Sequence, residues 1–136
     1  MAISQCMPVG FKYSCLAARA THDLKIALYT AAATLGASTT AYTATGEVTA
    51  TGYTAGGVSL AGAVVSTEGS TAYMSFDNVV FNATGVVARG ALIYDADDAD
   101  EALAVLDFGA DKSDIDGVFT VNFPEFTATS AVIRLD

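Results

Sequence analysis

Nine acidic residues and one lysine, Lys112, fall between Asp95 and Asp116, in a chain with a single histidine, two cysteines and no tryptophan. The stretch DADDADE, residues 95–101, is the densest candidate for chemistry. Calcium takes several oxygen ligands from a flexible loop, and Asp95, Asp97, Asp98 and Asp100 carry the donors for one. The spacing is not that of an EF-hand, which needs a central glycine and a glutamate farther along. A solvated turn between two strands, its charge keeping strand edges apart, accounts for the stretch equally well. Asp111, Asp114 and Asp116, beside Gly117, read as a second solvated turn.

Other chemistries fit less well. A zinc centre would need Cys6, Cys15, His22 and a carboxylate to converge, and Cys15 to His22 is not a finger spacing. A disulfide between Cys6 and Cys15 would close only a small loop; two free, buried thiols is the simpler reading. His22 has Asp23 as its immediate neighbour, and such neighbours on a strand or turn point apart. No Ser-Xaa-Gly nucleophile elbow is present, since GYTAGG has threonine at that place. Two aspartates could converge as a glycosidase pair, but no tryptophan is present to stack against a sugar. The sequence therefore predicts no enzyme, no catalytic residue, no cofactor and no resident metal.

The segment AYTATGEVTATGYTAGG, residues 41–57, repeats a Tyr-Thr-Ala step at Tyr42 and Tyr53. A phosphate-cradling loop needs a glycine turn leading into a helix, often with a lysine. No lysine follows Gly56-Gly57 and the next residues read as strand, so these glycines serve turns. The two steps are expected to be neighbouring edge segments that present tyrosines and hydroxyls. Tyrosine suits protein contacts because it covers area at small entropic cost.

The elements that would position these residues are short strands. KIALYT, residues 25–30, alternates with period two, Ile26 and Leu28 on one face and Ala27 and Tyr29 on the other. Further strands are expected over 58–65, 71–76, 79–82, 86–94, 103–108, 119–123 and 131–135, separated by Gly, Asp and Asn turns. No convincing amphipathic helix of three turns stands out. Residues 1–23 read either as an extended amino-terminal arm or as a short helix over 11–20, and residues 24–136 as the β domain. The expected fold is all-β: a single antiparallel β-sandwich, jelly-roll-like or immunoglobulin-like, of about eight strands.

A length of 136 residues suits one domain, and 52% apolar content builds a real core. Only 15% of residues are charged, with threonine and alanine in place of the usual Lys and Glu. A surface so poor in charge suits a protein packed against copies of itself or a partner. A net charge of −9 speaks against nucleic acid and against anionic membrane surfaces. No apolar run is long enough to span a bilayer, and the amino terminus lacks the basic start and apolar run of a signal peptide, so synthesis in the cytoplasm is expected. Lys12, Arg19 and Lys25 precede most of the acid, giving a mildly basic beginning and an acidic later segment that could steer copies together.

LKIALYTAAATL and TTAYTATGEVTATGYTAGG, with ARGALIYD, AVLDFGADKS and GVFTVNFP later in the chain, resemble a widespread family of small tailed-bacteriophage virion proteins. The resemblance covers about residues 24–135. It implies a non-enzymatic particle component, with a decoration or cement protein on the capsid exterior as the favoured place. The alternative is an accessory protein of the neck, tail or fibre; a calcium- or glycan-binding module is the further alternative. The implied partners are the major capsid protein or other virion proteins and further copies of the chain, and the implied location is the virion. No catalytic residue is carried over. From composition alone, Phe11 and Lys12 in the arm and the tyrosines Tyr42 and Tyr53 are the expected contact groups.

Overall fold

The computed structural model describes residues 2–136. All the strand pairings among them are antiparallel, and one short helix accompanies nine strands. The fold class is the expected one, all-β and sandwich-like, with one strand more than the sequence suggests. No helix among the described residues is long and apolar enough to cross a membrane.

By packing, the described residues fall into two compact units, one made of residues 2–21, 62–77 and 123–136, the other of 22–61 and 78–122. The first contains the helix α1 (Val9–Ala20), so the segment read as arm or helix shares a unit with later strands. Its first turn follows Pro8, whose carbonyl accepts the Phe11 and Lys12 N–H groups. The helix matches the short-helix alternative for residues 11–20, begins two residues earlier, and at three turns is longer than the patterning leads one to expect. Its apolar stripe is too thin to read, because only Leu16 and Lys12, one turn apart, are buried. Lys12 lays its stem inward and its ammonium donates to the Ser70 carbonyl at 2.7 Å. Phe11 is 58% exposed.

α1 packs on β3 (Val64–Glu68) and β4 (Thr71–Ser75), and β9 (Ile133–Leu135) pairs with β4 to give a sheet in the order β3-β4-β9. Gly69 and Ser70 make the tight turn between the first two. Lys12→Ala removes both the packed stem and the bond to that turn. It is expected to lower stability by about 1–2 kcal/mol, read as a shift of the urea midpoint; an unchanged midpoint would deny the lysine a structural part. Cys6 and Cys15 are free, as read, but both are exposed rather than buried. Cys6 lies in an exposed segment without regular structure, and Cys15 is on the outer side of a helix whose inner side is taken by Leu16 and Lys12.

The second unit holds a four-stranded sheet in the order β2-β1-β6-β7: β2 (Val58–Ser59), β1 (Leu24–Tyr29), β6 (Val87–Asp95) and β7 (Glu101–Ser113). A two-stranded ribbon, β5 (Val79–Asn82) with β8 (Val118–Val121), completes it. Ile26 faces Ile93 and Ala27 faces Leu92 across the central pair. Both faces of β1 are buried, so its alternation marks a strand without marking an outside. On one face Ala27, Tyr29, Leu92 and Tyr94 form a cluster, covered by Ala33, Leu35 and Tyr42 from the segment that follows β1. The glycine-rich stretch is thus a covering layer, held to the sheet by isolated bridges at Tyr29–Glu47 and Ala41–Glu101. It contains no edge strands, which corrects that expectation; what replaces a ladder there is described next.

Candidate functional site

Glu47 is the only acidic residue between Asp23 and Glu68, and it stands between the two tyrosine steps. The loop folds so that both tyrosines reach it. The Tyr42 hydroxyl donates to Oε1 at 2.5 Å and the Tyr53 hydroxyl to Oε2 at 2.6 Å. The Gly56 N–H donates to Oε2 at 2.8 Å. The Tyr53 oxygen in turn accepts the Leu28 N–H at 2.9 Å, fastening the loop to β1. Tyr94 donates to the Gly56 carbonyl at 2.6 Å and stacks on Tyr42 with ring centroids 4.9 Å apart. Tyr29 donates to the Thr43 carbonyl at 2.7 Å. Four phenols and one carboxylate thus add side-chain bonds to the few backbone bonds, such as Val48 N–H to the Leu28 carbonyl at 2.9 Å, that hold this irregular loop.

The electrostatics follow from burial around one negative charge. Burial, then the charge of Glu47, pushes Tyr29 up to about 12. Burial, then the charge of Asp100, pushes Tyr94 up to about 12. Tyr42 and Tyr53 are raised further, by burial first and by donation to Glu47 second. A phenol that donates to a carboxylate loses that bond on ionising, so each proton is held. This cluster fixes protons rather than moving them, and Tyr42 and Tyr53 turn their hydroxyls to Glu47.

Several acidic residues are likewise engaged. The stretch over 95–101 is the turn between β6 and β7, with left-handed backbone at Ala99 and Asp100. Asp95 is fully buried, its Oδ2 stands 2.7 Å from His22 Nδ1, and its Oδ1 accepts the Asp97 N–H at 3.0 Å. Asp97 accepts the Asp23 N–H at 2.8 Å, while the Asp23 carboxylate accepts from Ser59 Oγ at 2.8 Å. Among the described residues, no group of three or more His, Cys, Asp or Glu converges as a metal would require. In the second acidic turn, Asp114 accepts the Gly85 and Val86 N–H groups on one oxygen and the Gly117 N–H on the other. Asp114→Ala is expected to cost about 1–3 kcal/mol, measured by chemical unfolding; Asp114→Asn, which keeps one acceptor oxygen, is expected to lose less.

An aromatic series runs away from this polar cluster. Tyr53 meets Phe81, Phe81 meets Phe119 and Phe119 meets Phe108, at centroid separations of 5.9, 6.3 and 6.2 Å. It ends at a groove of about 710 Å³ along β8, lined by Phe108, Lys112, Ile115 and residues 118–122. Ile115 is 78% exposed at its rim.

Of the expected contact groups, Phe11 is open, Lys12 is buried on Ser70, and Tyr42 and Tyr53 are half-buried on Glu47. Sequence reasoning missed Glu47, although a lone carboxylate between two tyrosines in an otherwise uncharged run is a legible signal. It also missed the pairing of His22 with Asp95, for which no sequence signal exists. No protein-family model, curated protein or solved structure matches the chain.

Proposed function

We propose that this protein is a bacteriophage virion structural protein that decorates or cements the capsid exterior through protein–protein contacts. On this reading it carries no catalytic residue or cofactor, and its partners are the major capsid protein, other virion proteins and its own copies. The observation that carries the reading is the kind of side chain left uncovered. Ile3, Phe11, Val80, Val87, Ile115 and Val118 are large apolar residues with 40% or more of their surface open, on a chain in which few residues are charged. Apolar residues scattered singly are ordinary on any protein, but Ile115 and Val118 stand together on one apolar groove, and such a patch is useful to a protein that becomes covered. The groups best placed for chemistry, meanwhile, are engaged in holding turns: Glu47 by two phenols and an N–H, Asp114 by three N–H groups.

The test is to locate the protein on purified particles by electron microscopy and to titrate it onto assembled shells. Saturable binding at a fixed number of copies per capsomer is the expected result. Density confined to the neck, tail or fibre would move the protein to that site on the particle. Absence from particles together with no shell binding would end the virion reading.

A further inference from the structure

β8 has β5 on one side and no further strand on the other among the described residues. Val118 exchanges both of its backbone hydrogen bonds with Ile115, at 2.8 and 3.0 Å, so its N–H and C=O point away from β5. A strand alternates, so the N–H and C=O of Thr120 point the same way. Thr120 is itself one of the residues lining the groove already described, which Phe108, Ile115 and Phe119 make apolar. An open strand edge beside an apolar trough is the geometry that takes up an extended segment, main chain to main chain, with every second side chain in the trough.

One segment of this chain fits that description. Residues 2–7 have no regular structure and are exposed throughout, Ile3 at 93% and Met7 at 52%. Ile3, Gln5 and Met7 fall on one side of an extended chain and Ala2, Ser4 and Cys6 on the other. Six extended residues span about 20 Å, enough to pass Thr120 and continue beyond the end of β8, clear of the part of the edge that Ile115 already holds at Val118. Charge is compatible with the same segment. Exposed Asp111 and Asp116 adjoin the lining residues Lys112 and Ile115, on a chain of net charge −9. That setting repels acidic segments, and no acidic residue precedes Asp23.

We infer that the groove along β8 receives residues 2–7 of a second copy as an added strand. Ile3 and Met7 enter the trough, and the Thr120 N–H and C=O bond the incoming backbone. Reciprocal exchange closes a dimer, whereas one-way exchange builds a chain or ring. The inference goes beyond the virion reading and does not rest on it, because association is measured on the isolated protein.

The experiment compares three proteins by sedimentation equilibrium, each checked for unchanged circular dichroism. They are the full chain, a deletion of residues 2–7, and the double variant Ile115→Lys with Val118→Lys, which alters two exposed positions. The full chain is expected to associate, and each variant to associate at least tenfold more weakly. The decisive arm mixes the two variants: one keeps the groove and the other keeps the segment, so a one-to-one complex is expected to form. A monomeric full chain, or variants that associate as it does, overturns the inference. Association lost in the groove variant but kept in the deletion also overturns it, since another segment would then be the occupant. A mixture that stays monomeric overturns it as well.

Discussion

Gly57→Ala is expected to lower stability by about 4 kcal/mol or more and to remove most of the soluble protein. Gly57 has φ +79°, and a Cβ there would lie 1.8 Å from the Ile26 carbonyl oxygen and 2.8 Å from the Ala27 Cα. Both are backbone atoms of β1, which cannot yield without losing register with Val58 and Ile93. The left-handed backbone alone costs a non-glycine residue about 1–2 kcal/mol, and the collision adds the rest. Gly69→Ala is the control: its φ is +59°, but nothing lies within 4 Å of the added carbon. It is expected to cost about 1 kcal/mol. Equal unfolding midpoints for the two variants would show that the loop does not approach β1 so closely.

Glu47→Ala is expected to cost about 3 kcal/mol, or roughly 10 °C in the unfolding midpoint. It strands three donors at once, the Tyr42 and Tyr53 hydroxyls and the Gly56 N–H. All three are only partly shielded, so water recovers some of the loss. Glu47→Gln keeps one acceptor oxygen and is expected to lose about half as much. The same cluster sets the response to alkali. Phenols of the unfolded chain ionise near pH 10, while Tyr29 and Tyr94 hold their protons to about 12. Below about pH 10 both states are protonated and this stabilisation is whole. Above it the unfolded state releases protons that the folded state keeps, so stability falls with rising pH and the contribution is gone once the folded values are passed. Phenolate absorbance and circular dichroism, followed together, are expected to show these tyrosines ionising as the fold is lost. Full ionisation near pH 10 with the sheet intact would contradict the burial described for them.

Period-two patterns place most of the strands. KIALY becomes β1, FDNVVF and GVFTVNF become the paired β5 and β8, and the final Ile133–Leu135 becomes β9. Those segments read well because a residue's neighbour on the same face lies two positions away in the sequence. β7 runs past the glycine that was read as its end, through Gly109 to Ser113, because pairing with β6 beyond a bulge carries it on. The helix was faint because its burial rests on Leu16 and on the stem of Lys12, which no hydrophobic pattern marks. The polar cluster was half legible. The repeated tyrosines drew attention, but their inward direction depends on Glu47 and on the backbone of β1. His22 with Asp95, and the trough along β8, join residues far apart in the chain and exist only once the sheets form.

The way the two units share the polypeptide bears on the timing of synthesis. The chain passes from one to the other at residues 21–22, 61–62, 77–78 and 122–123, so no single cut yields either as one continuous piece. On the ribosome, α1, β3 and β4 emerge early, yet Met74 waits for Ile133 and Tyr73 for Arg134. Until residues 133–135 have emerged, β4 has a bare edge that could capture another nascent chain, and the smaller unit can close only after the whole of the larger one has been made.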